Sequence, residues 1–146
     1  MKSRIFLMLF VAVLSLFLAA CAREVARIPL TGADEGSVEF SHPGGRIVLW
    51  TDLNVKFRDR PFLQYQVQFH QQGDLVAETI CYPLDVNVYL RKSGSIRRGM
   101  TSLKYEGRMK CDVELPAGTY MVAAHFSMDG RDVELSKNDL VLKVSD

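Results

Sequence analysis

The sequence predicts an all-β domain: an antiparallel β-sandwich of about eight short strands, immunoglobulin-like or similar, with a small closed barrel as the alternative. Three observations predict it. Apolar residues recur at every second position through most of the chain beyond Val38, the period of half-buried strands. Turn signals such as Gln72-Gly73-Asp74, Pro116-Ala117-Gly118 and Asp129-Gly130 separate these runs, as hairpins require. After the first 20 residues no segment carries an apolar stripe at helical spacing.

Taken in order, Ala22 to Gly36 mixes charges with Pro29 and Gly32 and holds no sustained period. It reads as a tether, and a flexible chain of that length reaches about 20 Å. Ser41-His42-Pro43-Gly44-Gly45 is a turn before the first long strand. There Ile47, Leu49, Leu53, Val55 and Phe57 share one face with Thr51, and Val48 and Trp50 lie on the other. Leu63, Tyr65, Val67 and Phe69 alternate with Gln64, Gln66, Gln68 and His70, and Leu75–Tyr82 and Val86–Leu90 follow as further strands.

Leu103–Leu115 is the most regular segment. Lys104, Glu106, Arg108, Lys110, Asp112 and Glu114 occupy every even position, so that face is expected in water and the odd face, with Met109, Cys111 and Val113, in the core. Gly107 is expected to mark a bulge or bend in so long a strand. Tyr120 to Met128, Val133-Leu135 and Leu140 to Val144 complete the sheets. Glu114-Leu-Pro-Ala-Gly-Thr-Tyr120 resembles the hairpin of many extracellular immunoglobulin-like modules, which implies a Pro-Gly turn and a tyrosine entering the core.

Composition excludes some functions. The chain has 146 residues, 48% of them hydrophobic, enough for one domain and not for a disordered chain. Residues 1–20 hold two of the 18 Lys+Arg and none of the 17 Asp+Glu, so the remainder is one acid in excess. That balance argues against a nucleic-acid partner.

Lys2 and Arg4 precede an uncharged run from Ile5 to Ala20. The run is short for a membrane span and has the flanks of a secretory signal; an uncleaved anchor and an ordinary secretory signal are the alternatives. Leu18-Ala19-Ala20-Cys21 resembles the lipobox of bacterial lipoproteins. The resemblance implies cleavage before Cys21, a diacylglyceryl thioether and an N-acyl chain such as palmitate on that residue, and a cell-envelope address. Three acyl chains exceed the two signals that stable anchoring takes. Ala22, where the inner-membrane retention signal of such proteins has aspartate, implies the outer membrane. The organisation expected is therefore residues 1–20 as signal, 21–36 as lipidated cysteine and tether, and 37–146 as sandwich.

Export implies an oxidising compartment, where disulfides persist. With Cys21 lipidated, Cys81 and Cys111 are the remaining pair; two free thiols or a metal pair are the alternatives, without CxxC or clustered histidine to support a metal. A loop of about 30 residues closed by a disulfide is worth roughly 3–4 kcal/mol.

Signatures of catalysis are missing from the sequence: it has no HExxH, GxSxG or phosphate-cradling glycine loop. His42, His70 and His125 lie on separate segments. Neither catalytic residues, a metal site nor a cofactor is expected. Two features are candidates for binding. Arg91, Lys92, Arg97 and Arg98 surround Ser93-Gly94-Ser95 in an expected loop, suited to phosphate or carboxylate groups, including lipid headgroups near the tether, or merely solubilising. Trp50 is a carbohydrate or protein contact if exposed, and a buried residue if a second layer covers it. The expected function is that of a lipid-anchored, non-catalytic module for binding or assembly with another envelope protein. Envelope-glycan binding is the alternative, and a hydrolase comes behind both.

Overall fold

In a computed structural model of the protein, residues 22–145 are described, and they form two antiparallel sheets packed face to face. The strands are β1 (Arg23–Pro29), β2 (Glu35–His42), β3 (Gly45–Phe57), β4 (Phe62–Gln71), β5 (Asp74–Cys81), β6 (Val86–Arg97), β7 (Met100–Leu115), β8 (Gly118–Asp129) and β9 (Glu134–Val144). One sheet has the order β1-β9-β3-β7-β6 and the other β2-β8-β4-β5. The sheets stay open, so the architecture is a sandwich and not a closed barrel.

The alternation seen in the sequence builds the core directly. Ile47, Leu49, Leu53 and Val55 from β3 meet Leu63, Tyr65, Val67 and Phe69 from β4, with Leu140 and Leu142 from β9 beside them, all buried. One polar cluster crosses this core. Tyr65 on one sheet donates its hydroxyl to Asn138 Oδ1 on the other, and Thr51 Oγ1, 3.0 Å away, donates to the tyrosine oxygen. Burial pushes the Tyr65 pKa upward, so the phenol stays neutral. Asn138 also holds the β1–β2 loop: its backbone N–H donates to Thr31 Oγ1 and its carbonyl accepts from the Leu30 N–H.

The tether reading of residues 22–36 is overturned for most of that segment. Arg23–Pro29 is strand β1, paired antiparallel with the C-terminal strand β9, and β2 begins at Glu35. Ala26, Ile28 and Leu30 are buried at alternate positions. A register irregularity between Glu24 and Ala26 breaks the period at its start, and Pro29 sits at the strand's end on a sheet edge, where a missing N–H costs little. Among the described residues the sandwich therefore has nine strands, and it begins well before residue 37.

Gly107 lies where the β6–β7 ladder is irregular, with register shifts on either side of the Tyr89↔Gly107 pair, and it has a packing role besides the bulge expected of it. The irregularity of β7 against β3 falls at Met109–Cys111, where β3 advances from Val48 to Trp50 while β7 passes from Asp112 to Arg108. The slip is even, so odd residues of β7 keep facing the core on both sides of it. A Cβ on Gly107 would come within 2.3 Å of Val86 Cγ1, so the glycine admits the neighbouring strand β6. The β7–β8 turn matches expectation: Tyr120 is buried and its hydroxyl donates to the Pro116 carbonyl at 2.7 Å.

Register fixes two ends. Residue 22 lies at the near end, where Arg23 pairs with Val144 and where the 43–44, 72–73 and 116–117 turns also lie. The far end carries residues 58–61, the 98–99 turn and residues 130–133. β3, 13 residues long, runs between them over about 40 Å.

Candidate functional site

Three surfaces distinguish themselves from ordinary solvated sheet. The first is a lateral edge. β5 and β6 are the terminal strands of the two sheets on the same side, joined directly by residues 82–85. Leu75, Val76, Ile80, Tyr82, Val88 and Leu90 are all exposed along this edge, with Tyr89 beside them. Phe62 packs at a tilt against Tyr82 with ring centroids 5.7 Å apart, adding an exposed aromatic side chain from β4. Lys92 sits 4.4 Å above the Tyr89 ring, so a cation lies beside these side chains. Cys81 and Cys111 are bonded with Cα atoms 5.6 Å apart, which confirms the expected disulfide and ties β5 of one sheet to β7 of the other just behind this edge.

The second surface is the outer face of β9, β3 and β7. The even positions of β7 do not all face water as their charges suggest. Glu106 is buried, because β3 and β9 supply countercharges and long side chains that cover it. Arg27 Nη1 lies 3.1 Å from Asp52 and 2.9 Å from Asp139, and its Nη2 lies 2.8 Å from Glu24. Lys137 lies 2.8 Å and Arg91 3.3 Å from Asp52; Lys143 lies 3.1 Å and Arg91 3.5 Å from Glu106. Four carboxylates thus meet four cations. A balanced network offers a ligand no net charge and is a rigid plate across five strands.

Trp50 lies under this plate. It is 8% exposed beside Val48 and Val141, with the Lys143 ammonium 4.1 Å above its ring, so side chains of its own sheet cover it. It is therefore no surface platform for a sugar.

The Asp52 side chain is only 6% exposed. Desolvation alone would raise its pKa, but hydrogen bonds from Lys137 and Arg27 and the field of Arg91 outweigh it and hold the carboxyl below its ordinary value. The folded pKa lies below the unfolded one, so this stabilisation is present above the unfolded value of about 3.9 and is lost as pH falls through the folded one. Asp52→Asn is expected to cost about 1.5–3 kcal/mol at pH 7 and to flatten the acid limb of stability against pH, as read by urea melts between pH 7 and 2.

The third surface is basic. The stretch Arg91–Arg97 is not the loop expected; it belongs to strand β6, and the turn is Arg98–Gly99 alone. Arg91 is committed to Asp52 and Glu106 in the plate. Arg97 and Arg98 lie at the far end, opposite residue 22.

The outer face of the four-stranded sheet holds a shallow depression of about 730 Å³ bordered by Glu35, Ser37, Gln66, Gln68, Ala123 and His125. Its amides are engaged with Glu78, and His125 Nδ1 lies 3.3 Å from Glu35. The histidines stay apart. His70 is level with Met121 of β8, four residues or about 13 Å from His125. His42 is buried, with Nε2 3.0 Å from the Gly45 carbonyl oxygen. No group of three or more His, Cys, Asp or Glu among the described residues is placed to hold a metal ion. The segment expected to be a signal, residues 1–20, and the residue expected to carry lipid, Cys21, lie outside the described residues.

No protein-family model matches this chain, and no curated protein is significantly similar to it.

Proposed function

We propose that the chain is a lipid-anchored envelope protein whose sandwich is a non-catalytic docking module for another envelope protein. The lipobox at Leu18–Cys21 supports the anchor, with Ala22 favouring the outer membrane. The β5–β6 edge supports the docking, and it is the observation that carries the reading. Its exposed apolar and aromatic side chains flank the two terminal strands and the connection between them, with the composition of an interface centre. Two open strand edges beside them offer main-chain hydrogen bonds to an added strand. The disulfide behind the edge holds it in shape before a partner arrives, which limits the ordering cost of binding.

The test is photo-crosslinking in the native host from Val76, Leu90 and, as a control, Glu114. One envelope protein is expected from the two edge positions, lost when Leu90→Asp is introduced, and absent from Glu114. Equal capture from all three positions refutes a defined docking edge. Cys21→Ser is expected to abolish labelling by fatty acid and to accumulate precursor; normal labelling of that variant refutes the anchor.

A further inference from the structure

We propose that the far end of the five-stranded sheet binds an anionic glycan, a sugar polymer carrying carboxylates or phosphates. The site is separate from the β5–β6 docking edge and stands or falls independently of it. Register places Lys104 between Asn54 and Ser93 on the outer face, and Ser102 between Lys56 and Ser95. Arg97 follows on the same face, level with Met100. Arg98 forms the tip, and the Arg58 guanidinium packs on the turn so closely that a Cβ on Gly99 would lie 2.9 Å from its Nη1. Asn54, Ser93, Ser95, Ser102 and Lys104 border a shallow depression of about 260 Å³.

Lys56, Arg58, Arg97, Arg98 and Lys104 make no ion pair among the described residues, whereas the cations of the adjoining plate are all paired. The acids beside them are Asp59 and Glu134, the latter opposite Lys56, and Arg131 and Asp132 in the next loop offset each other. A local cationic excess is thus held on an otherwise balanced chain. Guanidinium groups match the planar or tetrahedral oxygens of carboxylate and phosphate. The hydroxyl- and amide-lined depression matches the hydroxyls of sugar units between those charges. A membrane surface would use the cations and Ile96, 78% exposed near the tip, but would leave the serine-lined depression unused.

The turn supplies a clean variant. Arg98 and Gly99 both have positive φ, 53° and 77°, as in type I′ turns, where Asn-Gly is preferred. Arg98→Asn therefore removes a charge without disturbing the hairpin, and a thermal melt of the variant checks that.

The full chain in detergent is titrated with polygalacturonate, phosphomannan, neutral dextran and phosphatidylglycerol vesicles, at low and raised salt. Binding to at least one of the two anionic glycans and none to dextran is expected. Arg98→Asn combined with Lys104→Gln is expected to weaken glycan binding about tenfold or more, while Arg23→Gln at the near end leaves it unchanged. Failure of both anionic glycans to bind, equal binding of dextran, or equal weakening by Arg23→Gln overturns the proposal. So does vesicle binding tighter than either glycan and lost with Ile96→Ser, which would make the tip a membrane contact.

Discussion

Cys81→Ala is expected to lower the unfolding free energy by about 2–5 kcal/mol, with Cys81→Ala/Cys111→Ala close to the single variant. The bridge joins residues 30 apart in sequence and links the two sheets. Its removal therefore releases a long loop in the unfolded chain and frees an edge strand in the folded one. Cys81 is itself buried, so alanine also leaves a small cavity. Urea melts give the loss of stability. Thiol titration of the denatured wild-type chain without reductant checks the premise: no free thiol is expected from the Cys81–Cys111 pair, and two would refute the bridge.

Met109→Asp is expected to be at least as damaging, above about 4 kcal/mol, because a carboxylate there has no partner and no water. Met109 is 1% exposed, and its neighbour Lys110 is exposed on the opposite face with its ammonium 2.9 Å from Asp85. Lys110→Gln should therefore change stability by no more than about 0.5–1 kcal/mol. Val113→Asp falls between the two, since Val113 is only half-buried near the end of the strand, and Glu114→Gln should resemble Lys110→Gln. Melts in which Lys110→Gln is damaging and Met109→Asp tolerated would place β7 one residue out of register.

The strands most legible in the sequence are those with one face in water and the other in the core. Leu63–Phe69 and Leu103–Leu115 declare both faces at once, and the structure places their odd residues inward. β1 was hidden because its partner, β9, lies more than a hundred residues away and because only Ala26, Ile28 and Leu30 carry its period. The charged plate was hidden for a related reason. Arg27, Asp52, Glu106, Arg91 and Asp139 come from five strands, and nothing local says which of them will be level. Trp50 reads as a surface residue or a covered one until Lys143 is known to lie over it. The cysteine pair was legible because two cysteines remained after the lipobox. The apolar edge was not, since Val88 and Leu90 look like core until β6 is known to be terminal.

The pairing of β1 with β9 decides how the domain bears load. A pull transmitted through residue 22 from the near end, against an attachment at the far end, runs parallel to β1. The ladder hydrogen bonds lie across that direction, so the pairs from Arg23↔Val144 to Pro29↔Asp139 must shear together instead of peeling one by one. Arg27, gripping Asp52 and Asp139, acts as a further catch against the same sliding. A chain held at Cys21 and gripped at its far end or lateral edge is thus clamped in its mechanically strong direction. Force spectroscopy along this axis should meet higher resistance than pulling that opens β1 sideways.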